Sequence, residues 1–337
     1  MIPFVSRLLW ATGGLYSVAA ALFLIARRFV SDIAFAPIGF LNSFAHWLML
    51  PGLIVLPLAI LFRRRRVAWG AALPALEFIL TYGGLYLRQS PTLPPETASF
   101  TLMTYNLHAE DVHLAPMVRV IAEMDADIVC LQELSDALAA QLERDLAGQY
   151  PYRALHGTLR TDGQGVLSKF PIREDRYFTH ADIPNRQGQQ RVVIATPAGD
   201  VVIYNVHPVH PGMVGVLFDA EPRAREVGYL LARVKAEHGI VIMAGDMNLN
   251  DQTNVYAEIA AVMSDAYREV GYGLGLTFPN WQTPQSLPRG RGSPLPIPLL
   301  VRLDHIFYRG GLRALSAHVG EDTGGSDHHP VIVAFGR

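Results

Sequence analysis

Gly239-Ile240-Val241-Ile242-Met243-Ala244, followed at once by Gly245-Asp246-Met247-Asn248, decides how this chain is read. A short run of β-branched and apolar residues bounded by glycine reads as a buried strand, and here the polar residues come only where the strand stops. The arrangement recurs along the chain. Phe100–Tyr105 alternates like a strand and ends at Asn106, Asp127–Leu131 leads through Gln132 to Glu133, and Val201–Val206 ends at His207. Further strands are expected at Gly165–Ser168, Arg191–Thr196, Asp304–Tyr308 and Pro330–Phe335, with helices at Leu114–Met124 and Glu221–Glu237. Strands interleaved with helices, several of them paired antiparallel, predict an α/β sandwich of sheets flanked by helices.

Strands that end at one edge would deliver Asn106, Glu133, His207, Asp246 and Asn248 to a common rim. Carboxylates and amide oxygens are hard ligands, suited to Mg²⁺ or Mn²⁺ rather than zinc. Near the C-terminus Ser326-Asp327-His328-His329-Pro330 sets an acid and two imidazoles just before the last strand, where they gain nothing as packing. Hydrolysing a phosphoester needs a cation for the developing charge, a base for water and donors for the phosphoryl oxygens, and this residue set supplies all three. Cys130 is the only cysteine, which excludes an intrachain disulfide and a cysteine metal site.

Five motifs stand in one order: Thr104-Tyr105-Asn106, Leu131-Gln132-Glu133, Gly245-Asp246-Met247-Asn248, Leu303-Asp304-His305 and Gly325-Ser326-Asp327-His328, supported by Gly165-Val166-Leu167-Ser168-Lys169-Phe170-Pro171. Over about residues 98–336 they resemble the endonuclease/exonuclease/phosphatase superfamily, which includes deoxyribonuclease I, apurinic endonucleases, inositol polyphosphate 5-phosphatases and neutral sphingomyelinases. The resemblance implies a four-layered α/β/β/α sandwich and a metal-dependent hydrolase of phosphoric ester bonds. It implies that Glu133 binds the metal with Asn106 beside it, and that Asp327 completes the acidic cluster. Asp246 would orient and deprotonate the attacking water, Asn248 would hold a phosphate oxygen, His328 paired with Asp304 would stabilise phosphoryl charge, and His207 would contact phosphate. One departure stands out: nuclease members often carry Asp two positions after the first Asn, where this chain has His108.

The front of the chain is different. Half of all residues are apolar and the mean hydropathy is +0.20, unusual for a soluble enzyme. Leu8–Ala26 and Phe40–Phe62 carry no charge, and Val67–Leu87 carries only Glu77. Each is long enough to span a bilayer at about 1.5 Å per residue. Three transmembrane helices over 1–90, a proline-rich linker over 91–98 and a catalytic domain over 99–337 are expected. The four consecutive Arg63–Arg66 and Arg7 argue that the N-terminus and the second loop face the cytoplasm, against Arg27 and Arg28, which puts everything after residue 88 outside it.

Residues 1–90 hold eight Arg against Asp32 and Glu77, while residues 91–337 hold 20 basic and 28 acidic side chains. An acidic catalytic part is a poor footprint for duplex DNA, whose binding rests on Lys and Arg contacts to phosphate. Held against a membrane, the domain would meet lipid headgroups at high effective concentration. The plan of a few spans followed by this domain resembles the membrane-anchored bacterial branch that includes teicoplanin-resistance proteins, with isoprenoid-lipid pyrophosphate as a proposed substrate class. A membrane lipid phosphoester is therefore the expected substrate, with the apolar segments Met213–Phe218 and Pro294–Val301 lining a lipid channel. The alternatives are a membrane-tethered nuclease, with a basic groove from Arg191, Arg223, Arg289 and Arg291, and a non-catalytic membrane scaffold.

Overall fold

The computed structural model describes residues 2–87, 99–108, 114–212, 218–280 and 298–337. The chain divides into two compact units, one of residues up to Leu87 with the stretches 212–220 and 252–254, the other of the remainder. The expected linker 91–98, most of the Met213–Phe218 segment and residues 294–297 lie outside the described residues.

The second unit holds the strands β1 (Ser99–Asn106), β2 (Ile128–Gln132), β3 (Tyr152–His156), β4 (Gln164–Ser168), β5 (Ile172–Phe178), β6 (Gln189–Thr196), β7 (Gly199–Val206), β8 (Ile240–Asp246), β9 (Ser264–Asp265), β10 (Asp304–Arg309), β11 (Arg313–Val319) and β12 (Val331–Gly336). They form two six-stranded sheets, in the orders β11-β12-β1-β2-β4-β3 and β5-β6-β7-β8-β10-β9. Each sheet contains one parallel pair, β1/β2 and β7/β8. Parallel neighbours need a crossover, supplied here by the helices Leu114–Met124 and Glu221–Ala236.

Successive side chains of a strand point to opposite faces, and that alternation builds the layers. Phe100 and Leu102 of β1, Ile128 and Cys130 of β2, Ile203 of β7, Ile242 and Ala244 of β8 and Ile306 of β10 meet in one core between the sheets. The intervening Met103, Tyr105, Val129 and Leu131 pack instead with Val120 and Ile121 of one helix and Leu138 and Leu142 of Asp136–Asp145. On the far side, Arg309 of β10 donates to the carbonyls of Val234 and Glu237 (2.6 and 2.8 Å), fastening the Glu221–Ala236 helix to the second sheet. The result is the helix/sheet/sheet/helix sandwich expected.

The first unit departs from three uninterrupted spans. Among the described residues one unbroken helix, Ser6–Ala26, is long and apolar enough to cross a membrane, and the bent pair Ala36–Ser43 and Ala45–Leu61 passes the same test only when taken together. The stretch Phe40–Phe62 is broken into Ala36–Ser43, Ala45–Met49 and Gly52–Leu61, with a 78° bend after the first of these. At the bend the Ser43 hydroxyl bonds back to the Gly39 carbonyl (3.2 Å), a contact that bends helices, and at the second break, before Gly52–Leu61, Pro51 brings no N–H to continue the ladder. The third stretch becomes the helix Arg65–Tyr82 and a 3-10 turn, Gly83–Tyr86. Its Glu77 accepts a hydrogen bond from Arg28. Phe218 is buried against Phe40, ring centroids 6.3 Å apart, so its ring is taken up by packing rather than by a channel wall.

Candidate active site

The inward face of the strands carries apolar residues until the sheets run out, and the same register then presents polar ones. Asn106 continues the Phe100, Leu102, Thr104 face of β1, and Asp246 continues the Ile240, Ile242, Ala244 face of β8. Asp304 opens β10 on the face of Ile306, and the antiparallel register sets it opposite Asp246. Glu133 and His207 are the first residues beyond β2 and β7. Local turns complete the rim. Gly245 has φ 153°, and a Cβ there would lie 1.8 Å from the Val206 carbonyl oxygen, so only glycine fits beside β7. Glu133, Asn248 and His108 all sit in the left-handed region, with φ 53°, 52° and 54°. Such backbones cost on the order of 1–3 kcal/mol each and concentrate at functional sites.

The rim side chains touch in a chain. Asn106 Nδ2 donates to Glu133 Oε1 (3.1 Å) and to Asp246 Oδ2 (3.0 Å), so one amide nitrogen stands between two acids. His207 Nε2 lies 3.7 Å from each of the same carboxylates. His328 Nδ1 is 2.8 Å from Asp304 Oδ2, and its Nε2 is 3.6 Å from Asp246 Oδ2. Asp246, Asp304 and His328 are all buried, and each offers a ligand atom within 4.8 Å of the others. The Asn248 backbone N–H donates to Asp246 Oδ1 (2.9 Å), and its Nδ2 donates to the Pro208 carbonyl (3.0 Å). Asp327 is the outlier: its carboxylate pairs with His108 Nδ1 at 3.2 Å rather than with Glu133 or Asn106. His108 thus stands where nuclease members often carry an acid, and its ring contacts Asp327.

Burial works against a charged His328, but Asp304 first, then Asp246, outweigh it and hold its pKa well above the usual imidazole value. Burial likewise disfavours the Asp327 anion, and the His108 contact followed by the charge of His328 nevertheless brings its pKa below the usual carboxylate range.

Several supporting residues have no role in the sequence reading, although Ser326 stands in one of its motifs. Gln189 clamps the His207 backbone at both ends, accepting from its N–H and donating to its carbonyl, each at 3.0 Å. Glu226, fully buried, accepts from Val209 N (2.8 Å) and Gln189 Nε2 (3.3 Å). Ser326 Oγ donates to the Asn106 carbonyl (2.7 Å) and accepts from His328 N (3.0 Å), while Phe278 lies 4.7 Å from the His328 ring. The Asn248 N–H bond to Asp246 closes an Asx-like turn.

The basic groove suggested from sequence is not formed by the described arginines. Arg223 is buried and donates to the Asn248 carbonyl, and Arg191 is held by Glu237 (2.6 Å) and Glu174 (2.8 Å). Arg289 and Arg291 lie outside the described residues.

Fold and site together define a phosphoesterase-type α/β/β/α sandwich. The sequence profile of the Endonuclease/Exonuclease/phosphatase family matches residues 103–328, and the chain belongs to that family. No curated protein sequence matches it. Among solved structures, an endonuclease/exonuclease/phosphatase from Beutenbergia cavernae is similar with 21% identity and TM-score 0.56, covering 71% of this chain and 72% of that one. Truncated Caenorhabditis elegans TDP2 is similar with 17% identity and TM-score 0.55, covering 71% and 98%. Danio rerio TDP2, crystallised with a single-strand DNA product, gives 18% and 0.55, covering 70% and 98%. These likenesses show the fold. Members of the family are typically metal-dependent hydrolases acting on phosphodiester bonds.

Proposed function

We propose that the chain is a membrane-anchored, divalent-metal-dependent phosphoesterase that hydrolyses a phosphate ester or pyrophosphate of a membrane lipid headgroup. The observation that carries the catalytic part is the Asn106 amide shared by Glu133 and Asp246 beside the Asp304–His328 pair. Two carboxylates drawn to one donor, with Asp304 Oδ1 buried and without a hydrogen-bond partner among the described residues, fit a hard cation. Glu133 and Asn106 would hold Mg²⁺ or Mn²⁺, while Asp327, paired with His108, stands apart from them. The bound cation would neutralise charge developing on the phosphoryl oxygens.

The chain's own groups supply the rest. Asp246, fixed by the Asn248 N–H, orients the attacking water and takes its proton. His328, kept protonated by Asp304, donates to a phosphoryl oxygen. Asn248 and His207 hold the remaining oxygens.

The membrane part rests on exposure. Less than a quarter of the Ser6–Ala26 window is buried, and Leu9 and Leu15 are 66% and 73% exposed, which suits a lipid-facing helix and not a core one. Trp69 and Leu80 of the helix Arg65–Tyr82 are 82% and 73% exposed, which supports a multi-pass region over 1–90, a linker over 91–98 and a catalytic domain over 99–337. The four arginines of Arg63–Arg66, with Arg7, outnumber Arg27 and Arg28 and favour an extracytoplasmic catalytic domain. A reporter fused at residue 337 that works only in the cytoplasm would reverse that orientation.

A second reading, a membrane-tethered nuclease, is favoured by the likeness to a TDP2 that holds single-strand DNA. It is disfavoured by the engagement of Arg191 and Arg223. A non-catalytic scaffold has no use for the full acid and imidazole set. The test is a substrate panel on full-length protein in detergent: isoprenoid pyrophosphates, phospholipids, plasmid DNA and a chromogenic diester, each with and without chelator. Chelator-sensitive turnover of a lipid supports the proposal. Turnover of DNA alone would establish the nuclease, and turnover of nothing would leave the scaffold.

A further inference from the structure

Within the first unit, an apolar groove of about 970 Å³ runs between the helix Ile2–Ala26 and the helix Gly52–Leu61, with Leu9 and Gly13 on one wall and Val55 and Leu58 on the other. From Pro51 to Phe62 its wall extends about 16 Å at the helical rise, close to half of the roughly 30 Å hydrocarbon thickness of a bilayer. The groove is therefore one leaflet deep.

Its two ends differ. At the Pro51 end the Tyr16 hydroxyl is turned back onto the carbonyls of Leu48 and Met49 (3.0 and 3.3 Å), and along the wall the Thr12 hydroxyl is satisfied by the Leu8 carbonyl (3.0 Å). Both hydroxyls thus donate to the chain's own carbonyls. At the other end Arg64 lies over the Trp10 ring, 5.5 Å to its centroid, and Trp10 meets Phe62 edge-on at 5.7 Å. Arg63, Arg64, Arg65 and Arg66 are all exposed, and among the described residues no carboxylate pairs with any of them. The acids of residues 2–87 are engaged elsewhere, Glu77 with Arg28 and Asp32 with Asn42 and the Asn254 N–H. A leaflet-deep apolar slot that ends at Arg64, within a run of four exposed arginines that have no carboxylate partner among the described residues, is complementary to one ligand chemistry, a long hydrocarbon chain bearing an anionic phosphate head.

We propose that this groove holds an acyl chain of an anionic membrane phospholipid, its phosphate against Arg63–Arg66, as a bound lipid separate from the lipid hydrolysed at the rim. The inference rests on the membrane reading above. It also assigns the arginine run a binding role in addition to its bearing on topology.

Native mass spectrometry of the full-length chain, extracted in detergent and offered equimolar phosphatidylglycerol and phosphatidylcholine with the same acyl chains, tests it. The wild type should retain phosphatidylglycerol in about five-fold preference or more. Arg63→Gln with Arg64→Gln, both at exposed positions, should erase the preference while leaving phosphatidylcholine retention as it was. Leu58→Trp, which fills the slot, should reduce retention of both lipids, and both variants should turn over a chromogenic diester at the wild-type rate. Equal retention of the two lipids by wild type, or unchanged retention in Leu58→Trp, overturns the proposal alone. A chain that stays dispersed without detergent overturns the membrane reading and the proposal with it.

Discussion

Two polar layers lie one above the other where the sheets end, and they behave in opposite ways. The lower one, formed by Thr104, Gln132, Asn205 and Gln190, is made of amides and a hydroxyl and closes on itself. Gln132 Nε2 donates to Asn205 Oδ1 (2.6 Å) and Thr104 Oγ1 (3.0 Å), and Asn205 Nδ2 reaches the carbonyls of Leu131 and Gly165 (both 3.0 Å). Gln190 Nε2 continues to the Ala154 carbonyl (3.0 Å) and Asp175 (2.8 Å). The upper layer holds Asn106, Glu133 and His207, one or two residues further along β1, β2 and β7, together with Asp246 and Asp304 at the ends of β8 and β10, and it does not close. One Asn106 donor serves two carboxylates while Asp304 Oδ1 and His207 Nδ1 have no hydrogen-bond partner among the described residues. A buried polar layer that satisfies itself is structural, and one left short of positive partners is built to receive them.

This contrast is open to attack by mutation. The largest effects belong to the upper layer: Asp246→Asn or Glu133→Gln should lower kcat/KM by about 10³-fold, within the range for losing an acid–base or electrostatic group, with little change in Tm. Asp304→Asn should cost about 10²-fold, mainly in kcat. It should also move the alkaline limb of the pH–rate profile to lower pH. The sign follows from the raised His328 pKa: its proton is present below that pKa and lost as pH rises through it, and removing Asp304 brings that loss to lower pH. A limb that stays in place would detach His328 from the reaction. Metal removal comes next. At cation concentrations near 100 times Kd, binding adds about 2.7 kcal/mol, so a chelator should lower the Tm of the catalytic transition by about 5–10 °C. In the lower layer, Asn205→Leu should cost about 1–3 kcal/mol in denaturant unfolding by orphaning its partners, yet leave turnover per folded molecule within a few fold. The smallest effect, about 1 kcal/mol, is expected for Ser135→Ala, which removes the Oγ that caps the helix Asp136–Asp145 by accepting from Leu138 N (3.1 Å).

The strands legible in the sequence share a position. β1, β2, β4, β6, β7, β8, β10 and β12 are flanked on both sides within their sheets, so their residues carry the apolar runs that betray a strand. β3, β5, β9 and β11, which the sequence reading passed over, are the four sheet edges. β5 reads Ile172-Arg173-Glu174-Asp175-Arg176-Tyr177-Phe178, with Arg173 to Arg176 exposed, and β11 is interrupted by a register shift between Ala314 and Ser316. Charge and irregularity are how edges avoid pairing with other chains, and they hide the periodicity as well. The rim residues were legible for the opposite reason, since polar groups directly after apolar strands break a pattern. Gln189, Glu226 and Arg223 were not, because their roles depend on partners 18 to 37 residues away, which no local pattern reports. In the first unit, length and hydropathy located the apolar stretches but gave no sign of the break at Phe44, which one back-bonded serine accompanies.

Mn²⁺ binding to the full-length protein, followed by electron paramagnetic resonance of the free ion, addresses the claim that the upper layer is shaped for a cation. Saturable binding to wild type, weakened about ten-fold or more by Glu133→Gln and unaffected by Asn205→Leu, is the result this account predicts. Equal affinity in wild type and Glu133→Gln, with hydrolysis undiminished, would contradict it.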